Sequence, residues 1–296
     1  MRKVSLLVGV FALVALASCG EKKNEVISTM VEGKSSAEVA EMVVEKYQSV
    51  EFIESYNNQD FKLDLTGNCS TKSVIMGQST NIYYGIEAGA TYNHEKGVRG
   101  NFNVKAGELS LASADLEYDV DTDNMYLQAT EKEKTDSVCI TGVKKFIASN
   151  IETELPNYVP TEMPSTEKIA AVLEQYKDVL SFDVTEDELE ITFTTTADMN
   201  SKIEDYLDKQ LKLEGMGTYS GTGINVTISF NEDLYLTGID ASIATKITVS
   251  EAQATIDFSA SMSLDIKYGT FNYTSIEGKD SFETIKAEDY FGSLYY

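Results

Sequence analysis

The sequence predicts an α+β domain built on a long, curved antiparallel β-sheet, and three observations carry that prediction. From Ala254 to Tyr268 the chain alternates without a lapse. Ala254, Ile256, Phe258, Ala260, Met262, Leu264, Ile266 and Tyr268 fall on one side, and Thr255, Asp257, Ser259, Ser261, Ser263, Asp265 and Lys267 on the other. Strict period two marks a strand with one dry face and one wet face. From Ile239 to Val249 the alternation runs on odd positions with one lapse at Thr245, so the two segments read as a hairpin. Pairing Val249 with Ala254 and Ile243 with Ala260 keeps apolar opposite apolar. A strand of about 15 residues spans roughly 50 Å, which favours a strongly twisted sheet over a compact sandwich.

At the N-terminus, Arg2 and Lys3 precede an apolar run from Val4 to Ala17, too short for a comfortable transmembrane helix. It ends in Leu16-Ala17-Ser18-Cys19-Gly20, which resembles a bacterial lipobox. The resemblance implies a signal peptide at 1–18 and a palmitate-type diacylglyceryl anchor on Cys19. Two acyl chains give stable attachment where one gives only marginal binding. The implied location is the outer, extracytoplasmic face of the bacterial cell membrane.

Residues 19–35 are polar and read as a tether, with a short helical turn at Val26 to Val31. One domain is expected over 36–296. Ser35 and Glu38 have capping-box spacing, and Val39, Ala40, Val43, Val44 and Tyr47 form an apolar stripe, so a helix is expected over 36–56. Strands follow from Phe61, at Asn81–Tyr92, around Phe102 and around Leu116. The phase slip near Ser113 suggests a β-bulge, and Asp121-Thr122-Asp123-Asn124 a turn. Pro156, Pro160 and Pro164 mark an irregular crossover before a helix over 166–178 that carries Ile169 and Tyr176. A hairpin turning at Glu186-Asp187-Glu188 leads to a helix over 201–212, with Ser201 and Glu204 at capping-box spacing. The last block is a meander in which Val226 is expected opposite Ile239.

Net charge is −24, which opposes nucleic-acid binding through a basic patch. His94 is the only histidine, so a multi-histidine metal site within one chain is excluded, and its surroundings read as a loop. Asp119, Asp121 and Asp123 have the spacing of a calcium loop, but Asn124 and Thr130 stand where that loop needs Gly and Glu; a turn is the better reading. The Gly-rich stretches near 215 and 221 lack the Gly-Lys-Ser/Thr of a phosphate loop. Nothing calls for a cofactor, a metal or an enzymatic activity. Cys69 and Cys139 are open to two readings: a disulfide closing a loop of about 70 residues, worth on the order of 4 kcal/mol, or two reduced thiols.

An acylated N-terminus, an early amphipathic helix, one-sided antiparallel strands and two later helices together resemble the lipoprotein-carrier families of the LolA/LolB and LppX/LprG types. The resemblance implies a half-barrel whose apolar concave face is covered by amphipathic helices, with space for acyl chains between. Val43, Tyr47, Ile169, Tyr176, Tyr206, Ile243, Phe258 and Met262 are the expected lining of that apolar cavity. The implied function is binding or carrying a lipid or other apolar ligand. The alternative is a surface interaction or envelope-structural module whose helices fill the same space.

Overall fold

The computed structural model describes residues 23–146, 175–210, 217–249, 252–272 and 274–292. Its centre is one open sheet of twelve strands. The first meander is β1 (Phe61–Ile75), β2 (Gln78–Asn93), β3 (Gly97–Ala106), β4 (Leu109–Asp119), β5 (Asn124–Glu131) and β6 (Lys134–Thr141). The second is β7 (Leu180–Val184), β8 (Leu189–Thr194), β9 (Thr218–Phe230), β10 (Leu236–Val249) and β11 (Ala254–Tyr268). The two are joined where β11 pairs antiparallel with β1 along its whole length. β12 (Glu283–Lys286) adds to the far edge, parallel to β6. β7 and β12 are the two edges and do not pair, so the sheet is not a closed barrel.

The pairing carries one apolar face across every strand. Ile266 lies opposite Leu63, Leu264 opposite Leu65 and Ile239, and Ile191 opposite Ile228 and Phe182. The β10–β11 register is the expected one, with Val249 on Ala254 and Ile243 on Ala260. The β9–β10 register differs by two residues: Val226 faces Ala241, and Ile239 faces Ile228. A two-residue slip leaves every side chain on the same face, so alternation cannot detect it. The turn decides it. Asn231 Oδ1 accepts from Asp233 N and Tyr235 N, Leu234 sits at φ +64° with its side chain in the core, and an irregularity at Thr237 follows. The slip expected in β4 is a register shift opposite Val104 and Lys105, with Leu111 as the extra residue.

Helices lie at two ends of the apolar face. α1 (Glu25–Val31), capped by Asn24, places Ile27 and Val31 in a cluster with Val39, Val43, Val184, Leu189 and Phe230. The stretch expected as a tether therefore belongs to the domain from Asn24 onward. The helix expected over 36–56 is two, α2 (Ser36–Gln48) and α3 (Val50–Asn57). The Ser35/Glu38 capping box starts α2, and Ser49 leaves helical geometry at ψ 125° while its hydroxyl accepts from Phe52 N. The second cluster joins Ile140, Val143 and Ala287 with Tyr118, Met125, Ile285 and Phe291, under α5 (Ala287–Gly292).

α4 (Ala197–Gln210) begins four residues before the expected helix, because Thr196 Oγ1 and not Ser201 accepts from the first turn, at Met199 N. Glu204 is then free for another task. Its Oε1 accepts from Thr222 N at 2.8 Å, and Asp208 Oδ1 accepts from Tyr219 N at 3.2 Å. β8 pairs only with Asn225–Phe230 of β9, so these carboxylates satisfy the donors of the β9 edge that β8 leaves bare.

Candidate functional site

In the middle of the apolar face the strand register builds a furrow. β1 contributes Gly67, Cys69 and Thr71, whose side chains are small. Ile86 and Met262 flank Gly67, Tyr84 and Ala260 flank Cys69, and Ile82 and Phe258 flank Thr71. Val104 and Phe102 of β3 continue the surface beyond Ile86 and Ala88. These are large apolar groups left in water: Tyr84 is 46% exposed, Ile82 43%, Phe102 42%, and Ile86 and Met262 41% each. Among the described residues, neither helix-covered cluster includes them. Single exposed hydrophobics are ordinary; here they form one contiguous stripe over β11, β1, β2 and β3.

An aromatic row bounds the furrow at one end of the strands. Tyr47 packs on Phe52, Phe52 on Tyr235, Tyr235 on Tyr268, and Phe61 stacks on Tyr92, with ring centroids 4.8–5.3 Å apart. Phe61 lies opposite Tyr268, so the row is continuous. Its hydroxyls are used locally: Tyr47 Oη accepts from Leu236 N, and Tyr268 Oη donates to Leu236 O.

Among the expected lining residues, Phe258, Ile243 and Met262 do lie on this face. Val43 and Tyr47 belong to the first helix-covered cluster, beside the furrow rather than over it. Tyr206 is 61% exposed, on a helix that runs along the β9 edge, and Tyr176 is 38% exposed; neither lines an apolar cavity. On α4, Glu204 and Asp208 face the β9 edge beside the half-buried Ile203 and Leu207, while Tyr206 points away from it. Cys19 and Ile169 lie outside the described residues. The disulfide reading is corrected: Cys69 and Cys139 are both free thiols. Cys69 is on the apolar face, opposite Tyr84, while Cys139 is on the polar face, opposite Tyr126, five strands away. Five strand spacings are about 24 Å, far beyond disulfide reach.

The polar face is not a plain solvated surface. Five cavities of about 240–530 Å³ lie on it and adjoin one another through shared residues such as Thr66, Asn68 and Asp64. One of them, about 510 Å³, takes its walls from β2, β1, β11, β10, β9 and β8, so the sheet is hollowed on this side. The expected apolar concavity is not among these five. Another cavity is lined by Asn272 and residues 274–277, which lie on the polar side on the way from β11 to β12. Glu117, 1% exposed, holds that crossing chain: Oε2 accepts from Ile276 N at 2.6 Å and Oε1 from Lys279 Nζ at 2.8 Å. Arg99 bonds Asp115 and Lys105 bonds Glu87 in neighbouring rows.

His94 lies in the turn after β2, as its loop-like surroundings suggest. Its Nδ1 is 2.7 Å from Asp60 Oδ1, which also accepts from the His94 backbone. Those bonds hold the Asp60 carboxyl below its usual range and raise the His94 imidazole. Among the described residues, the other hydrogen-bond and ionic partners of the two side chains are Asn93 and Glu95, neither a nucleophile. Asp119 Oδ1 accepts from Asp121 N and Thr122 N, which makes the acidic segment a turn.

Sequence reasoning did not single out the residues of the polar hollow. The signal that could have found them is the run Ser259, Ser261 and Ser263 beside Ser242 and Ala244, an uncharged interval on an otherwise charged face.

No family model matches the chain, and no curated protein matches it. Among solved structures, it is similar to a DUF1329 family protein from Desulfovibrio piger, at 8% identity over 81% of this chain and 96% of that one, with a TM-score of 0.19. A putative outer membrane lipoprotein-sorting protein domain from Vibrio parahaemolyticus matches at 8% identity over 73% and 88%, with a TM-score of 0.18. A β-barrel-like protein of domain of unknown function DUF1849 from Brucella abortus matches at 8% identity over 72% and 98%, with a TM-score of 0.20. These are distant likenesses, and the fold described above rests on the strand pairing of this chain alone.

Proposed function

We propose that this protein is an extracytoplasmic lipoprotein, anchored through Cys19, that binds the acyl chain of a lipid along the furrow over Gly67, Cys69 and Thr71. It acts as a carrier or sensor, not as an enzyme. In this reading α1–α3 and α5 stand as banks on either side of the bound chain. The observation that supports it is the apolar stripe that lies between two helix-covered clusters and has no helix over it among the described residues. A filled core would have buried Tyr84, Ile86 and Met262. Each methylene removed from water contributes about 0.8 kcal/mol, so a long acyl chain supplies a driving force of the same order as the cost of association.

The test is native mass spectrometry of the chain from residue 20, purified without detergent, followed by titration with a fluorescent fatty acid. Saturable binding that falls at least tenfold in Ile86→Asp and stays unchanged in Tyr206→Asp is expected. Absence of lipid in the mass spectrum together with no saturable uptake removes the carrier reading and leaves the stripe as a protein-contact surface.

A further inference from the structure

The polar face carries two adjacent cross-strand rows with an unusual composition. One runs Tyr83–Ser70–Ser259–Ala244–Gly223 and the next Asn68–Ser261–Ser242–Asn225–Thr194. Together they line the cavity of about 510 Å³. Its floor over β11 and β10 is Ser259, Ala244, Ser261 and Ser242. Taller groups stand at the two ends, Tyr83 and Asn68 on one side and Asn225 and Thr194 on the other. Asn68 on β1 and Asn225 on β9 are three strand spacings apart, about 14 Å. No lining residue is charged, in a chain of which 24% of residues are. Charge returns immediately outside, with Lys246, Asp257 and Lys72 along one border and Asp240 along the other.

The amides at the two ends are oriented by their neighbours. Tyr83 Oη donates to Asn68 Oδ1 at 2.6 Å, and Thr194 Oγ1 donates to Asn225 Oδ1 at 2.6 Å. Both amide oxygens are thus engaged, which leaves each Nδ2 as the group to offer a ligand. Serine hydroxyls between them both donate and accept. The Tyr83 ring, 48% exposed, gives a flat apolar surface at one end. β10 has a register irregularity between Ala244 and Lys246, beside the floor, of the kind that re-aims side chains next to binding sites.

We propose that this hollow is a second site, for an uncharged polyhydroxylated ligand: one or two rings of a neutral saccharide laid across β1, β11, β10 and β9. Hydroxyls and ring oxygens of a sugar match hydroxyl and amide groups, and a pyranose face matches the Tyr83 ring. A phosphate or carboxylate ligand finds no cation on the walls. An extended peptide finds no free backbone partner, because the N–H and C=O groups of these interior strands are spent on the ladder. The site is on the other side of the sheet from the furrow and does not depend on the acyl-chain reading.

The test uses the full-length protein in a zwitterionic detergent, so that no sugar headgroup competes. Calorimetric titration with neutral α- and β-linked gluco-, manno- and galacto-oligosaccharides is compared with an uncharged extended peptide. Saturable binding to at least one saccharide is expected, weakened at least tenfold in Asn225→Leu and in Tyr83→Ala but less than threefold in Tyr83→Phe, which keeps the ring. Ser242→Trp fills the floor and abolishes binding, with β-sheet circular dichroism unchanged in each variant. Failure of every saccharide to bind, binding of the peptide alone, or saccharide binding that survives Ser242→Trp overturns the proposal. None of these outcomes bears on fatty-acid uptake, so the two sites stand or fall separately.

Discussion

Lys279 Nζ lies 2.8 Å from Glu117 Oε1 and 4.8 Å above the Tyr126 ring, and this clamp holds the last crossing segment against the polar face. Burial alone would raise the Glu117 carboxyl. The Lys279 ammonium, the Ile276 N–H and Ser275 more than offset it, so the net shift is downward, while Lys279 is raised by the same bond. This segment leads directly into β12 and its pairing with β6.

Glu117→Ala removes both acceptor oxygens from a site that is 1% exposed, and a loss on the order of 3 kcal/mol in urea unfolding is expected. The pH dependence follows from the two shifts. The Glu117 contribution is full above the ordinary carboxylate range and is lost as pH falls through its lowered value; the Lys279 contribution is lost as pH rises through its raised value. Glu117→Gln therefore flattens the acid limb of the stability profile. An unchanged acid limb would show that the clamp does not set it.

His94 reports on the Asp60 pair without ambiguity, being the only histidine. Its imidazole titrates above the ordinary histidine value of 6.5, and Asp60→Asn brings it back down, as read from the imidazole proton shifts in NMR. The pair's stabilisation through His94 is present below that ordinary value and fades as pH rises through the raised one. Through Asp60 it is present above the ordinary aspartate value and fades as pH falls through the lowered one. An unshifted imidazole in the wild-type chain would count against the bond.

The chain from residue 20, unfolded without reductant, takes up two alkyl groups on iodoacetamide treatment, one each at Cys69 and Cys139. In the folded state Cys139 reacts more slowly, because burial raises its thiol pKa. Uptake of none in the unfolded chain would restore the disulfide.

Apolar truncations divide the sheet into covered and bare regions. Leu189→Ala and Ile27→Ala, at fully buried positions of the first cluster, cost about 2–5 kcal/mol. Met262→Ala, on the exposed wall of the furrow, costs less than about 1 kcal/mol by the usual range for surface substitutions. Denaturant midpoints measure both. Equal costs would mean that the furrow is as closed as the core.

The helix breaks illustrate where local pattern stops being informative. Ser35 and Glu38 cap α2 as their spacing suggests, because both partners lie within one turn. Ser201 and Glu204 have the same spacing and do not cap α4, since Glu204 is drawn to an unpaired strand donor 18 residues away in sequence. Cys69 and Cys139 have equally strand-like neighbours, but which face each occupies, and how many strands separate them, is a property of the whole sheet.

By itself the sequence determined the two-faced strands, the span of β11, the β10–β11 register and the first capping box. Each depends on neighbours in the chain or on a tight hairpin, where alternation and turn chemistry suffice. Only the tertiary structure decided the twelve-strand order, the β1–β11 seam, the parallel β12, the exposed apolar stripe and the hollow on the polar face. Those arise from pairings across as many as about 200 residues of chain, whose register depends on which strands meet, and no period in the sequence records that.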